Sequence, residues 1–190
     1  MSQPTSPACL GMAEWDQIGP GMAATDALLK AAPVKLEQAF TAPPGRWFVL
    51  VSGQPVEVEK AMAEGRAHAA VALRDAAVLP DVHPELLRAM MRAQVCTDEE
   101  ALGVLEADSL VAGVCAADAA GKAAPVLLLQ VRLVGDLGGK SLVLFAGAKA
   151  EVEKALAAAR DETDGRAATV SAVVIANVHD ALRPLVVANT

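Results

Sequence analysis

Few side chains in this sequence stand at spacings that support acid–base, nucleophilic or metal chemistry. The three histidines, His68, His83 and His179, are far apart, and neither a His-Glu-x-x-His zinc motif nor a Gly-x-Ser-x-Gly nucleophile elbow occurs. Glu57 and Glu59 look like a paired acid and base, but two residues apart on a helix they point to different faces. We therefore predict solvated surface charge there and no catalytic residue in the chain.

The segment 135–141 looks at first like a phosphate-binding loop. It reads Gly-Asp-Leu-Gly-Gly-Lys-Ser, so three residues separate its first glycine from the Gly-Lys-Ser triplet, where a phosphate-binding loop has four. The apolar run at 142–145 predicts a strand, whereas a phosphate-binding loop leads into a helix. The spacing favours an ordinary turn, and we predict no nucleotide binding.

The cysteines and the net charge argue against several classes of ligand and partner. Cys9, Cys96 and Cys115 are odd in number and widely spaced, which predicts neither a disulfide framework nor a zinc site and favours a reducing, cytosolic setting. The net charge of −7 and the 3 % aromatic content argue against nucleic acid, which needs basic patches and stacking platforms. The sequence contains no apolar run of about 18 residues, so we predict no membrane span. Residues 1–8 show no signal-peptide pattern.

The sequence repeats itself. Residues 10–38 align without a gap to residues 102–130, with 15 of 29 positions identical, and residues 45–61 align to 139–155 with nine of 17 identical. A third, short match aligns Val82-His83 with Val178-His179. Two copies of one small domain are therefore fused in tandem, and a duplicated domain suits assembly into rings. Because the two histidines belong to different copies, a structural or interface role is favoured over chemistry.

The repeat predicts two α+β domains. Copy one shows the order β-α-β-β-α-β-α, with strands near 9–16, 34–39, 47–51 and 71–79 and helices near 20–32, 56–68 and 84–91. Copy two repeats this order from 101 to about 185, and such a unit forms a ferredoxin-like sheet with its helices on one face. We expect a disordered tail at 1–9, a first domain at 10–94, a linker at 95–100 and a second domain at 101–190.

Two lysines stand in a context that both copies share. Lys30 and Lys122 each end the sequence Asp-Ala-x-x-Lys, and Ala-Ala-Pro-Val follows in both copies. An ion pair to the aspartate four residues earlier, near a helix C-terminus, explains the charge. It does not explain the shared Ala-Ala-Pro-Val, so an interface role stays equally open.

Taken together, these residues resemble a known family. The stretch from Asp26 to Val34, the turn Pro44-Gly45-Arg46, Gly53, the helix 56–61 and Val82-His83-Pro84 are similar to the bacterial microcompartment (BMC) shell domain. Copy two matches through Glu106, 118–126, 138–140, Gly147, 151–155 and Val178-His179. The tandem arrangement resembles the trimeric, pseudohexameric subclass, and within it the shell proteins of propanediol-utilisation compartments that carry an iron–sulphur cluster at the pore.

The resemblance implies a fold, a function and a location. Three chains would form a flat six-lobed tile, a homotrimer that packs with other BMC shell proteins into the shell of a cytoplasmic microcompartment, with small metabolites passing a central pore. The β2–β3 loops match those that line the pore, here Ala42, Pro43 and Pro44 from copy one and Gly135, Asp136, Leu137 and Gly138 from copy two. The tile-edge positions are Lys30, Lys122, Asp81, His83, Asn177 and His179.

Two positions depart from the family pattern. Where the cluster-bearing members have a cysteine before Pro-Gly, this sequence has Pro43, and none of its cysteines falls in either loop. Without a thiolate at that place we predict no iron–sulphur cluster and no other cofactor. Asp81 and Asn177 replace the edge arginine of the family, so the tile edge loses a planar bidentate donor.

The alternative to a non-enzymatic shell tile is a tandem ferredoxin-like regulatory protein that binds a small ligand between its halves. The topology permits it, but the sequence shows no convergent polar pocket.

Overall fold

The computed structural model describes residues 9–93, 99–133 and 137–183. Within them the chain divides into two compact units, Met1–Val82 (unit 1) and His83–Thr190 (unit 2). The division falls just after Val82, at the start of the histidine-containing segment that ends copy one. Segment 83–93 therefore belongs by its contacts to unit 2, although the repeat assigns it to copy one.

Copy one contains four strands and three α-helices. The strands are β1 (Cys9–Trp15), β2 (Lys35–Ala42), β3 (Arg46–Gly53) and β4 (Leu73–Pro80), and the helices are α1 (Ile18–Ala31), α2 (Pro55–His68) and α3 (Leu86–Met91). A single 3-10 turn, Ala70–Ala72, precedes β4. Pro55 begins α2, where a proline costs no hydrogen bond because the first helical N–H groups have no partner within the helix.

Copy two repeats this order among its described residues. Its strands are β5 (Ala101–Ala107), β6 (Leu127–Arg132), β7 (Ser141–Gly147) and β8 (Thr169–Ala176), and its helices are α4 (Leu110–Ala123) and α5 (Lys149–Gly165). Ser109 caps α4, because its side chain accepts a hydrogen bond from the Ala112 N–H at 3.0 Å. The helix expected to end near residue 185 lies mostly outside the described residues.

Each unit has a four-stranded antiparallel sheet, in the order β2-β3-β1-β4 in unit 1 and β6-β7-β5-β8 in unit 2. Even the irregularities recur: the register shifts between Leu36 and Gln38 and again between Leu128 and Gln130. The predicted α+β, ferredoxin-like architecture is confirmed. The predicted element order is also found, with boundaries that differ by at most about three residues.

Glycines shared by the copies allow close packing at the centre of each sheet. A Cβ on Gly11 would lie 2.6 Å from the side chain of Met62 on α2, and one on Gly103 would lie 2.3 Å from the ring of Phe145. Real Cβ atoms do not approach other atoms this closely, so any side chain at either place would force Met62 or Phe145 to move. Around them the cores consist mainly of Ala, Val and Leu.

A buried ion pair stabilises the end of the sheet in unit 1 that carries the β2–β3 loop. Arg46, the first residue of β3, donates to Glu14 at 3.1 Å, and both side chains are at least nine-tenths buried. The Arg74 guanidinium lies 3.9 Å from the same carboxylate. In copy two the equivalent pair is Lys140 and Glu106 at 3.2 Å, but these side chains are more than a third exposed.

We expect Arg46→Met to lower the free energy of unfolding by about 3 kcal/mol, because it leaves a buried carboxylate without its main partner. Lys140→Met is the matched control and should cost less than about 1 kcal/mol, since water still solvates Glu106. Urea denaturation at fixed protein concentration measures both. Equal costs for the two variants would contradict this account of the pair.

Candidate assembly surfaces and pore loops

The first candidate pore loop is a tight turn between β2 and β3. Ala42 is buried at the end of β2, whereas Pro43 and Pro44 are exposed. The Gly45 N–H donates to the Ala42 carbonyl at 3.0 Å, and Gly45 has a φ of +118°, a conformation that favours glycine. Of the three predicted pore residues of copy one, the two prolines thus present their side chains to solvent.

The second candidate pore loop, between β6 and β7, is described only in part. Gly135 and Asp136 lie outside the described residues, Leu137 is partly buried and Gly138 is exposed. Gly138 and Gly139 have φ values of +63° and +86°, and the Lys140 N–H donates to the Leu137 carbonyl at 3.2 Å. Leu142 continues as strand β7, so the predicted turn and strand are found over the described part of the segment, residues 137–145.

Lys140, directly after this loop, forms an ion pair with Glu106 on β5. The hydrogen bonds from Ser171 and from Lys140 lower the pKa of the Glu106 carboxyl, against the opposing effect of partial burial. Both copies therefore hold a carboxylate at the same place on the first strand, paired to a basic side chain on the strand that follows the loop.

Cys9, in the same unit as the loop of copy one, stands apart from that loop. Cys9 pairs with Gly53 at one end of the sheet, and Trp15 pairs with Trp47 at the other, beside the loop. The six residue steps of strand from Cys9 to Trp15 span about 20 Å. Cys115 is buried in α4 of unit 2, and Cys96 lies outside the described residues. Pro43 offers no thiolate and Cys9 is not beside it, so the residues of this loop do not fit an iron–sulphur cluster.

Over 9–93, 99–133 and 137–183, no three His, Cys, Asp or Glu side chains come together in a way that would hold a metal ion. No helix within those ranges is long and apolar enough to span a membrane. A surface hollow in unit 1 is lined mostly by alanines, with His68 at its edge.

The two equivalent histidines form the same local turn. His83 Nδ1 accepts from the Glu85 N–H at 3.3 Å, and His179 Nδ1 accepts from the Ala181 N–H at 3.1 Å. Residues 81 and 177 both adopt a left-handed backbone, with φ values of +53° and +50°. Asp and Asn tolerate this conformation better than most residues, whereas arginine does not share that preference. The local geometry therefore explains the residue types found where the family has arginine. We call segments 81–86 and 177–182 the first and second histidine turns.

The first histidine turn is anchored in unit 2. The His83 backbone N–H donates to Asp118 Oδ1 at 2.7 Å, while Asp118 Oδ2 accepts from Lys122 at 2.6 Å. Both oxygens of a carboxylate that is only 5 % exposed are thereby satisfied. After the turn, α3 lies against β6 and α4, with Leu86 fully buried. The copy-one helix α3 thus covers a face of copy two.

The side chain of His83 is held neutral in this place. Burial lowers the pKa of the imidazole, with a further lowering by the Lys122 cation and an opposing effect of the Asp118 carboxylate. The hydrogen bond accepted by Nδ1 also requires that atom to carry no proton. Gly121 makes room for the ring: a Cβ there would lie 2.9 Å from His83 Cγ.

The predicted edge residues fall into two groups. Five of them, Lys30, Lys122, Asp81, Asn177 and His179, are exposed, although the Lys122 side chain is less so than that of Lys30 (39 % against 74 %), and His83 is partly buried beside Asp118. Lys30 and Lys122 both pair with the aspartate four residues earlier, at 2.5 and 2.6 Å, as the ion-pair interpretation predicted. Sequence reasoning missed Asp118, Gly121 and Leu86 as partners of the histidine turn. The shared Asp-x-x-x-Lys and Val-His were the available signal, but their contact joins residues 35 positions apart.

Comparisons with known proteins agree on one family. The family model described as the BMC domain matches the chain twice, over residues 9–82 and 101–178. The bacterial microcompartment shell protein PduT of Citrobacter freundii is 33 % identical over 173 residues, which cover 91 % of this chain and 94 % of that protein. The crystal structure of a microcompartment protein from Desulfitobacterium hafniense superposes with a TM-score of 0.79 at 37 % identity, covering 92 % of this chain and 97 % of that one.

A third relative is more distant. A fused permuted hexameric shell protein from the RMM microcompartment has a TM-score of 0.67 at 21 % identity, covering 83 % of this chain and 84 % of that one. At this level of identity the likeness shows the fold alone.

We expect the stability of the protein to fall on acidification through a contribution from His83. Its pKa is lower in the folded state than the ordinary value of 6.5. Below that pH the unfolded chain therefore binds a proton that the folded chain still excludes, and the free energy of unfolding decreases as pH falls. The contribution becomes constant once folded His83 is protonated as well.

Urea denaturation between pH 8 and pH 5 measures this effect. His83→Asn keeps an acceptor for the Glu85 N–H but does not titrate, so its stability should change less steeply with pH than that of the wild type. Parallel curves for the two proteins would show that His83 does not titrate differently on folding.

Proposed function

The chain belongs to the BMC-domain family of bacterial microcompartment shell proteins, and we propose that it serves there as a non-enzymatic tile built from three copies. Its role as a structural shell component follows from its family and its relatives. The observation that carries the trimer is the duplication itself. Two matching units per chain would give six lobes from three chains, and three is the number that the resemblance to tandem shell proteins implies.

The burial of equivalent residues supports association. Ile18, Met22 and Leu36 in copy one are at least 36 % exposed, whereas Leu110, Val114 and Leu128 at the same places in copy two are completely buried. Apolar side chains repeated at equivalent positions indicate a face that a partner covers. The exposed set lies on α1 and β2, so this part of unit 1 is where we expect a neighbouring chain.

The proposed pore is formed by the two β2–β3-type loops. Three copies of each would surround the three-fold axis, with exposed Pro43 and Pro44 from one loop and segment 135–138 from the other. The absence of a cysteine before Pro44-Gly45 supports a pore for small metabolites that carries no iron–sulphur cluster. Repeated carboxylates at Asp136 would disfavour anions there.

Tile-to-tile packing is assigned to the exposed lysine at the end of α1. Lys30 is held by Asp26 at the surface, which leaves its ammonium with further donors for a neighbouring tile. Lys122 also pairs with buried Asp118, which in turn anchors the histidine turn. Lys30 is therefore the cleaner position for a test of edge packing.

Light scattering after size-exclusion chromatography tests the trimer. We expect a particle of about 58 kDa, three times the chain mass of 19.5 kDa, and sheets or tubes in negative-stain images. Lys30→Ala should leave the trimer intact and abolish the sheets, because only the edge contact is removed. Lys149→Ala, at another exposed ion-paired lysine, is the matched control and should change neither. A monomer or dimer at micromolar concentration would contradict the proposal.

Passage of charged metabolites tests the pore. Asp136→Lys reverses a charge that we place three times around the axis, so it should raise the entry of an anionic metabolite into assembled shells several-fold relative to a neutral one. Glu57→Lys reverses a charge on α2, outside both loops, and serves as the control. Unchanged anion entry in Asp136→Lys shells would refute an electrostatic role for this loop.

A further inference from the structure

We propose that Arg74 is a specificity-determining residue of the pore, because it neutralises the Asp16 carboxylate beside the first pore loop. This inference rests on the pore proposed above and concerns its selectivity for small anionic metabolites. With Asp16 neutralised, the copy-one side of the pore does not repel such anions through that carboxylate, and the preference against them arises at Asp136. The groups involved, which we call the loop-end cluster, are Glu14, Asp16, Arg46 and Arg74.

The loop-end cluster lies beside the first pore loop. Trp15 is opposite Trp47 in the sheet, so Asp16 and Arg46, one residue further on each strand, stand at the end of the sheet that carries the loop. The Arg46 Nε lies 3.7 Å from Asp16 Oδ1. From the spacing of strands and residues, Asp16 is roughly 10 Å from Pro44, which is about the distance over which 0.1 M salt screens a charge.

A β-bulge directs the Arg74 side chain toward these carboxylates. The register of β1 and β4 shifts between Glu14 and Trp15, which makes Arg74 the extra residue on β4. A bulge of this kind re-aims the side chain of the extra residue. The Arg74 Nη1 lies 3.4 Å from Asp16 Oδ1, and the Arg74 Nε lies 3.9 Å from Glu14 Oε1.

Copy two has the same bulge with an uncharged residue in it. The register of β5 and β8 shifts at the equivalent point, and the extra residue there is Val170, which is 46 % exposed. The aspartates beside the two bulges are held alike. The Asp16 N–H donates to the Ala72 carbonyl at 2.9 Å. The Asp108 N–H donates to the Ala168 carbonyl at 2.8 Å. The bulge residue can therefore neutralise the aspartate in copy one, but not in copy two.

Within the loop-end cluster Arg46 serves Glu14, and Arg74 serves Asp16. The Arg46–Glu14 pair is at least nine-tenths buried, so its two charges offset each other inside the protein. The Asp16 side chain is 54 % exposed, so any charge left on it acts on solutes near the loop. Asp75 lies opposite Glu14 and is partly buried, and its charge is the same in every variant compared below.

Two substitutions that change the charge in opposite directions test the proposal. Asp16→Asn keeps Arg74 and removes the exposed carboxylate, so it should raise the entry of acetate into assembled shells about two- to five-fold relative to acetamide, its neutral isostere. Arg74→Val puts the copy-two residue into the bulge and should lower the same ratio by a similar factor. Arg74→Val/Asp16→Asn removes both charges and should restore the wild-type ratio. Rapid filtration of shells with labelled solutes measures the two rates.

A salt series separates an electrostatic role from a structural one. The screening length falls to about 3 Å at 1 M salt, so the differences between the variants should nearly vanish there. Differences that persist at 1 M salt would come from altered packing and would overturn the proposal.

Lys149→Val is the matched control for the loss of a paired cation. Lys149 pairs with Glu153, but it follows the end of β7 that is about 20 Å from the second pore loop. Its removal should leave the ratio of acetate to acetamide entry unchanged. A change as large as that in Arg74→Val would overturn the local effect of the loop-end cluster.

Light scattering separates this proposal from the tile on which it rests. Asp16→Asn alters an exposed side chain, so it decides the question even if Arg74→Val does not assemble. Trimeric Asp16→Asn shells with an unchanged ratio, while Asp136→Lys shells respond, would overturn the role of Arg74 and leave the pore intact. A wild-type chain that forms no trimer would overturn the tile and the pore together. Opposite shifts that cancel in the double variant support the proposal.

Discussion

A carboxylate in a covered position requires a donor for each of its oxygens, and Asp118 shows how this chain meets that requirement. Lys122 supplies one donor from the next turn of α4, and the backbone of His83 supplies the other from the end of copy one. Burying the carboxylate without both would cost several kcal/mol. These two bonds hold the histidine-bearing segment against α4, where burial lowers the pKa of His83 and α3 packs on β6.

The same requirement explains why the two units differ although their folds agree. Asp26 has the same sequence context as Asp118, yet it remains exposed, and no described residue donates to it as the His83 N–H donates to Asp118. Duplication produced two faces and two turns, and only one face and one turn meet inside the described chain. In the closed ring of copies proposed above, a neighbouring chain would cover such a face.

The β2–β3 and β6–β7 loops, which lie beside equivalent charge pairs, differ in length. Their framework is constant, with a carboxylate on the first strand and a base on the third in both copies, at Glu14–Arg46 and Glu106–Lys140. Between these anchors copy two carries two more residues than copy one. Loop length therefore changes without disturbing the sheet register, so the proposed pore lining can differ between the copies on one common framework.

The sequence by itself determined the duplication, the order of the elements and the family, because repeats, proline positions and apolar periodicity are local properties of the chain. It also identified Pro43 as a residue without a thiolate, and the ion pairs at Lys30 and Lys122, since those partners are four residues apart. Only the tertiary structure decided that His83 belongs with Asp118 and Gly121, that α3 covers copy two, and that Asp26 and Leu182 are left exposed. These depend on which distant segments meet, and the two copies are too alike in sequence to show which of their equivalent faces is covered.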